Sequence, residues 1–306
     1  MADKGIIRYL RNKEIDKVKW DTCIGNASNG LIYAYSFYLD HMALHWDALV
    51  LDDYKAIMPL TWNKKFGFYY LYQPPFIASA GVFGAVISKE LTRQFIDAIP
   101  LRFKLIEISL NHENFLEGKN VVVKNNYTLN LNRPYDDIYK KYRENIKRNI
   151  KKSQQAGCYC KTGIPVENVI DISREQLKNV IKVSDSDYIN FANLYQYLYI
   201  RQQANTYGIY SAGNELLASC VYFFANKRAY YILVGNTPDG KTLGASHFLI
   251  DSFITKNSDK DLLLDFEGSD IRNLAFFYSS FGATPETYPA LRINNLPWWV
   301  KWLKKQ

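Results

Sequence analysis

The sequence predicts an α/β protein of two tandem domains, each a mixed sheet flanked by helices. Three observations predict it. Residues 230–282 read as strand, turn, helix, strand, helix. An earlier stretch runs in the same order: the apolar helix 95–99 leads to a strand ending in Glu107, as 249–253 leads to a strand containing Asp265. The 306 residues hold two domains of ordinary size, and 48% hydrophobic content supplies packed cores. Repeated order over such a length predicts a tandem pair.

In chain order, 31–44 has apolar residues at helical spacing. Residues 46–50 and 56–60 bracket Asp52-Asp53 and read as a hairpin, and 66–72 is a strand ended by Gln73-Pro74-Pro75. Residues 89–99 read as a helix, and 104–110 and 121–131 as strands. The span 135–155 predicts one basic amphipathic helix, with Ile138, Tyr142, Ile146 and Ile150 on its apolar stripe and Gly157 as its C-cap. Lys140, Lys141, Arg143, Lys147, Arg148, Lys151 and Lys152 cover the rest, opposed by Glu144. This helix sets the expected boundaries: an N-terminal domain 1–134, a connecting helix 135–157 and a C-terminal domain 158–306. Helices at 175–183 and 192–204 precede strands at 208–210, 215–224 and 228–234. The turn chemistry of 235–240 leads into a helix opening at 241–246, then a strand at 262–267. Ser269-Asp270 caps a last helix ending in Tyr278-Ser279-Ser280-Phe281-Gly282.

Composition limits the function classes. No apolar run reaches the ~18 residues needed to span a bilayer. Residues 1–20 are charged throughout and lack a signal-peptide core, so cytoplasmic residence is expected. Of the four cysteines, Cys158 and Cys160 are too close for an ordinary disulfide and no CxxC pair exists, which points to free thiols. His41 and His45 lack a third ligand, so no metal site is expected. The net charge of +8 suits an anionic partner without choosing among CoA, a nucleotide-linked sugar, tRNA and an anionic membrane. The tail mixes Trp298, Trp299 and Trp302 with Lys301, Lys304 and Lys305. That composition fits either peripheral contact with the inner face of the membrane or a packed terminal helix.

Chemistry-bearing residues concentrate in the last third. A glycine-bearing loop at a helix N-terminus, next to a strand end, favours phosphate. Here the loop is Lys241, Thr242, Gly244, Ala245 and Ser246, after the strand end at Val234 and Gly235. Asp265 and Glu267 alternate across Phe266 and so share a strand face. A carboxylate there can remove a proton from an attacking amine, Glu267 being nearer the end and Asp265 better placed to pair with a cation. Tyr278 could return a proton to a leaving group, or simply pack. Lys147, Arg148 and Lys151, with Lys152, could clamp a phosphate or form a solvated face. Tyr69, Tyr72 and Gln73 could line an acceptor cleft or pack a core strand.

Lys241-x-x-Gly244-x-Ser246 resembles the pyrophosphate loop of the GNAT acyltransferases, and Tyr278-x-x-x-Gly282 is similar to the GNAT helix whose tyrosine serves as general acid. Duplicated and joined by a basic helix, such a fold resembles the Fem-type peptidoglycan bridge aminoacyl ligases. The matching pieces are 145–153 with Gly157, Leu264-Asp265-Phe266-Glu267-Gly268, and Phe281-Gly282-Ala283. The resemblance implies two tandem GNAT-like domains. It also implies an acyl-CoA or aminoacyl-tRNA donor, an amine acceptor on a cell-envelope sugar or peptide precursor, and no tightly bound cofactor. The long charged coiled-coil pattern of many tRNA-using members is not visible, which leaves both donors open. A non-catalytic GNAT-like protein binding an anionic ligand or partner is the alternative. An RNA-binding module has no supporting motif, and no DNA partner is expected.

Overall fold

The computed structural model describes residues 5–178, 183–268 and 270–301. They gather into two compact units, Met1–Lys124 with Thr287–Gln306, and Asn125–Glu286. The first unit contains β1 (Ile7–Leu10), α1 (Lys17–Asn26), α2 (Ser36–Met42), β2 (Trp46–Leu51), β3 (Ala56–Lys65), β4 (Phe68–Leu71), the short β5 (Phe83–Gly84), α3 (Lys89–Asp97) and β6 (Phe103–Ser109). The second is entered along β7 (Val121–Asn130). It contains α4 (Tyr135–Tyr139), α5 (Glu144–Gln155), β8 (Tyr159–Thr162), α6 (Val166–Leu177), α7 (Asp185–Ile200), β9 (Ala204–Tyr210), β10 (Leu216–Ala225), β11 (Arg228–Asn236), α8 (Pro238–Leu243), α9 (Ala245–Asn257), β12 (Leu263–Asp265) and α10 (Arg272–Ser279). The chain then returns along β13 (Thr284–Asn294) to α11 (Trp298–Lys301) in the first unit.

Local chemistry places these elements. Asp16 caps α1 by accepting from the amides of Val18 and Lys19, and Ser88 caps α3 through Leu91. Thr237 caps α8 through Gly240, and Pro238 takes its first position. Asn226 and Lys227 both hold positive φ, which turns β10 into β11 over a two-residue loop. Phe66 and Gly67 do the same between β3 and β4.

Within the first unit the strand order is β1-β2-β3-β4-β6-β13, and within the second β8-β9-β10-β11-β12-β7. The orientations correspond step by step. Three antiparallel pairings lead to one parallel pair, β4 with β6 and β11 with β12, and an antiparallel strand follows. A helical connection separates the parallel strands in each case, as a crossover requires. The first core packs Leu49, Met58, Leu71, Phe95 and Phe103. The second packs Ile146, Ile150, Tyr222, Leu249 and Phe253, with the Tyr222 and Phe253 rings stacked at 3.7 Å.

Several expectations are corrected. The predicted helix 31–44 is a 3-10 turn at Ile32–Ala34 followed by α2. Phe66 belongs to a turn, so that strand starts at Phe68. The basic helix 135–155 is two helices, because the Arg143 amide donates to Ser280 O at 2.9 Å outside any helical ladder. It lies inside the second unit, while the tail from 287 belongs to the first, so the two units do not follow the expected 134 and 158 boundaries. The helices expected at 175–183 and 192–204 are α6 and α7, with 179–182 outside the described residues. No described helix is long and apolar enough to cross a membrane.

Candidate active site

The second unit holds most of the chemistry. β12 pairs with β11 only at Leu263–Arg228, Leu264–Ala229 and Asp265–Tyr230. β11 continues to Asn236, paired on its other edge with β10. Residues 231–236 therefore present an edge with no strand partner among the described residues. Successive amides along a strand point to opposite edges, so one of Val234 and Gly235 faces β10 and the other faces this opening. Gly235 is needed on the sheet face, where a Cβ would meet Ile172 Cγ2 at 2.6 Å.

The end of β12 is fixed by a buried polar network. Asp265 Oδ1 accepts from Asn126 Nδ2 and from the Glu267 amide, both at 2.8 Å, and Oδ2 accepts from Arg228 Nη1 at 2.9 Å. Arg228 Nη2 donates to Glu286 Oε1 at 2.7 Å. Burial alone would lower the Arg228 pKa. Its hydrogen bonds to Glu286 and the attraction of Asp265 reverse this and hold it above the usual range. Glu267 (φ 62°) and Gly268 (φ 85°) then turn the chain out of the strand. The expected shared strand face of Asp265 and Glu267 is thus absent. Asp265 is 3% exposed and committed to Arg228 and Asn126, so the structure gives it an anchoring role in place of proton transfer.

Glu267 is half-buried. Tyr278 is buried and lies flat on Phe266, with ring centroids 4.5 Å apart. Burial, and then the Glu267 carboxylate, push the Tyr278 pKa up. That holds its proton more firmly and makes it a weaker proton donor than a free tyrosine. The neighbouring Phe277 meets His247, in the first turn of α9, edge-on at 5.0 Å. Ring contacts thereby link Tyr278 through Phe277 to the start of α9, with the Glu267 charge felt at Tyr278, and His247 joins them without any sequence signal.

Burial pulls the His247 pKa down to about 4, against the opposing effect of the Gly244 backbone. In the unfolded chain the imidazole titrates near 6.5. Between these values the unfolded state binds more protons, so stability rises with pH across the window. The destabilisation is absent above the unfolded value and complete below the folded one, at ~3 kcal/mol. His247→Gln is expected to flatten the stability profile between those limits, as read by urea denaturation at several pH values. An unchanged slope would remove His247 as its source.

The predicted phosphate loop sits differently from expectation. Lys241 and Thr242 belong to α8; the Lys241 amide donates to Thr237 O at 2.9 Å, and Thr242 Oγ1 donates to Pro238 O at 3.1 Å. Gly244 (φ 75°) joins α8 to α9, Ala245 is buried, and Ser246 Oγ accepts from Asn236 Nδ2. A Cβ on Gly244 would stand 2.7 Å from Asn149 O, so α5 packs directly on the start of α9. Gly244→Ala is expected to cost ~1–3 kcal/mol, from left-handed backbone strain and a clash with backbone. A thermal melt within a degree of wild type would contradict that packing role.

On α5, the partly buried Lys147 pairs with the exposed Glu144 at 2.9 Å, while Arg148, Lys151 and Lys152 are exposed and make no ion pair among the described residues. Lys140 pairs with Asp137 at 2.9 Å, and Arg143 covers the Phe276 ring at 4.5 Å. Several of the helix's cations are therefore already engaged by their own neighbours.

The remaining predicted residues belong to the first unit. Gln73 accepts from the Ser109 amide at 2.9 Å and donates to Ile77 O at 2.8 Å, which gives it a loop-tying role. Tyr72 OH accepts weakly from the Leu44 amide at 3.4 Å. Tyr69 packs on the Arg102 guanidinium at 5.2 Å, together with Tyr9, Trp62 and Phe103, and Asp47 pairs with the same guanidinium at 3.1 Å. Trp298 and Trp299 are exposed, and Trp302 lies outside the described residues.

No family model matches the chain, and no curated protein is similar to it in sequence. Solved structures are similar in fold. FemX matches with a TM-score of 0.63 and 11% identity, over 92% of this chain and 96% of that one. A conserved protein of unknown function from Bacteroides thetaiotaomicron VPI-5482 matches with a TM-score of 0.59 and 12% identity, over 94% and 99%. At such identity the likeness is one of fold, and it agrees with the mixed sheets seen in both units. The chain has a GNAT/Fem-like α/β fold.

Proposed function

We propose that this chain transfers an acyl or aminoacyl group from acyl-CoA or aminoacyl-tRNA to an amine, on a cell-envelope sugar or peptide precursor. The observation that carries the reading is the unpaired edge of β11 beyond Tyr230, beside which Phe266 and Glu267 turn away. An extended, amide-bearing donor arm can add to such an edge as a strand does. The outward amide at Val234 or Gly235 polarises the donor carbonyl. Glu267 takes the proton of the attacking amine, and the leaving group is protonated from Tyr278 or solvent. No covalent enzyme intermediate is needed. The equal strand orders of the two units support a tandem pair of GNAT-like domains, which superposition of β2-β3-β4-β6 on β9-β10-β11-β12 tests.

The function is tested by thermal shift with CoA, acetyl-CoA and aminoacyl-tRNA, followed by transfer of labelled acyl group to amine acceptors. A true donor raises the melting temperature by mass action. No shift with any of them would overturn the transferase reading. The alternative would then hold: a non-catalytic binder of an anionic ligand. One observation counts against the donor site: α5 packs closely on the start of α9, where a Cβ at Gly244 would stand 2.7 Å from Asn149 O.

A further inference from the structure

One end of the first unit's sheet gathers exposed apolar and basic side chains from separate parts of the chain. β4 and β6 run parallel, with Tyr69 aligned to Phe103. β3 ends opposite the start of β4, Lys65 facing Phe68, and β13 ends alongside the start of β6, Asn294 facing Leu105. The β3–β4 turn, the segment before β6 and the segment after β13 therefore emerge at the same end. Phe66 is 71% exposed, Leu101 87%, Trp298 84% and Trp299 55%. Trp299 meets Phe68 edge-on at 6.0 Å, and the Asn295 amide donates to Lys104 O at 2.7 Å, which ties α11 and its approach to this end. Lys64, Lys65 and Lys104 are exposed there and make no ion pair among the described residues.

Phe66 is the sharpest of these signals. It holds φ 50° at the tip of a two-residue hairpin, a site that Gly or Asn fills without strain. A bulky aromatic there adds backbone strain and buries nothing in the core. Apolar tips ringed by unpaired lysines match one environment well: the boundary between headgroups and acyl chains of an anionic bilayer. Aromatic rings settle at that depth, and lysine stems extend so that the ammonium groups reach lipid phosphates. The sequence beyond α11 continues as Trp302-Leu303-Lys304-Lys305, of the same composition.

We infer that this end of the first unit docks on an anionic phospholipid surface, with Phe66, Leu101 and Trp298 entering the interface and Lys64, Lys65 and Lys104 on the phosphates. Trp298 and Trp299 are one part of a larger surface that also uses a hairpin tip and a strand entrance. The inference is independent of the transfer chemistry.

The test uses the full chain and vesicles of phosphatidylglycerol mixed with phosphatidylcholine, compared with phosphatidylcholine alone, by co-sedimentation. Binding to the anionic vesicles and little to the neutral ones is expected. Phe66→Ser, Leu101→Ser and Trp298→Ser together should weaken anionic binding at least about tenfold. Lys64→Gln, Lys65→Gln and Lys104→Gln together should remove most of the preference for anionic lipid. Near-ultraviolet circular dichroism confirms that each variant is folded. In the wild type, lipids brominated near the headgroup should quench tryptophan fluorescence, which keeps the test decisive if a combined variant does not fold. Absence of binding, absence of quenching, or an apolar variant that binds as well as wild type would overturn the inference. So would a wild-type dimer that the apolar substitutions dissociate while vesicles are ignored, since a second copy would then be the occupant.

Discussion

Arg228→Met is expected to cost about 3–5 kcal/mol of folding stability, because it leaves Asp265 and Glu286 without the cation between them. Arg228 and Asp265 are both nearly buried, at 10% and 5% side-chain exposure, so water cannot substitute for the lost partner. The same change made with Asp265→Asn and Glu286→Gln should be much milder, since no buried charge is then left unpaired. Urea denaturation reads both. A loss below about 1 kcal/mol for the single variant would place the network among exposed pairs of small net value. The cost should shrink in acid, where the orphaned carboxylates of the variant can take up protons.

Glu267→Gln is expected to lower turnover about 10²–10⁴-fold once a donor and acceptor are in hand. The loss should be largest at low pH, where more of the acceptor amine is protonated and removal of its proton matters most. Folding should survive, because the change is nearly isosteric and the Glu267 amide keeps its bond to Asp265. Tyr278→Phe should have the smaller effect, given a phenol whose proton is held by burial and by Glu267. Steady-state rates across pH for both variants decide the matter. Full activity in Glu267→Gln would remove it as the base, and a larger loss in Tyr278→Phe would make protonation of the leaving group the more demanding step.

Much of the second unit is legible in sequence because its signals are local. The aromatic and β-branched run of β11 and the apolar strand before Asp265 announce themselves, whereas the turn expected at 235–240 is the end of β11 and the first half of α8. β13 does not, because Pro285 and Pro289 interrupt a pattern that otherwise reads as a strand. β1 is only four residues long and is interrupted by Arg8, and α1 has little apolar periodicity, so neither stands out from its surroundings. The break between α4 and α5 has no Gly or Pro to mark it; Ser280, far along the chain, supplies the carbonyl that diverts the Arg143 amide. The site is harder still. Arg228, Asp265 and Glu286 come together only through strand pairing, and no spacing in the sequence relates them. Asp265 alternates with Glu267 as letters, yet one residue of left-handed backbone separates their fates. The Gly244 motif reads as a ligand cradle in sequence, which cannot show that α5 packs against Gly244 at Asn149.

The first unit is completed by a strand that is synthesised after almost all of the second unit. β6 waits for the part of β13 beyond Glu286, which comes after the second unit in the chain. During synthesis the second unit can collapse around its own core while the first still carries an uncapped strand edge, a template for pairing with other nascent chains. A chain ended near residue 286 should therefore aggregate during expression more than one ended just after 294.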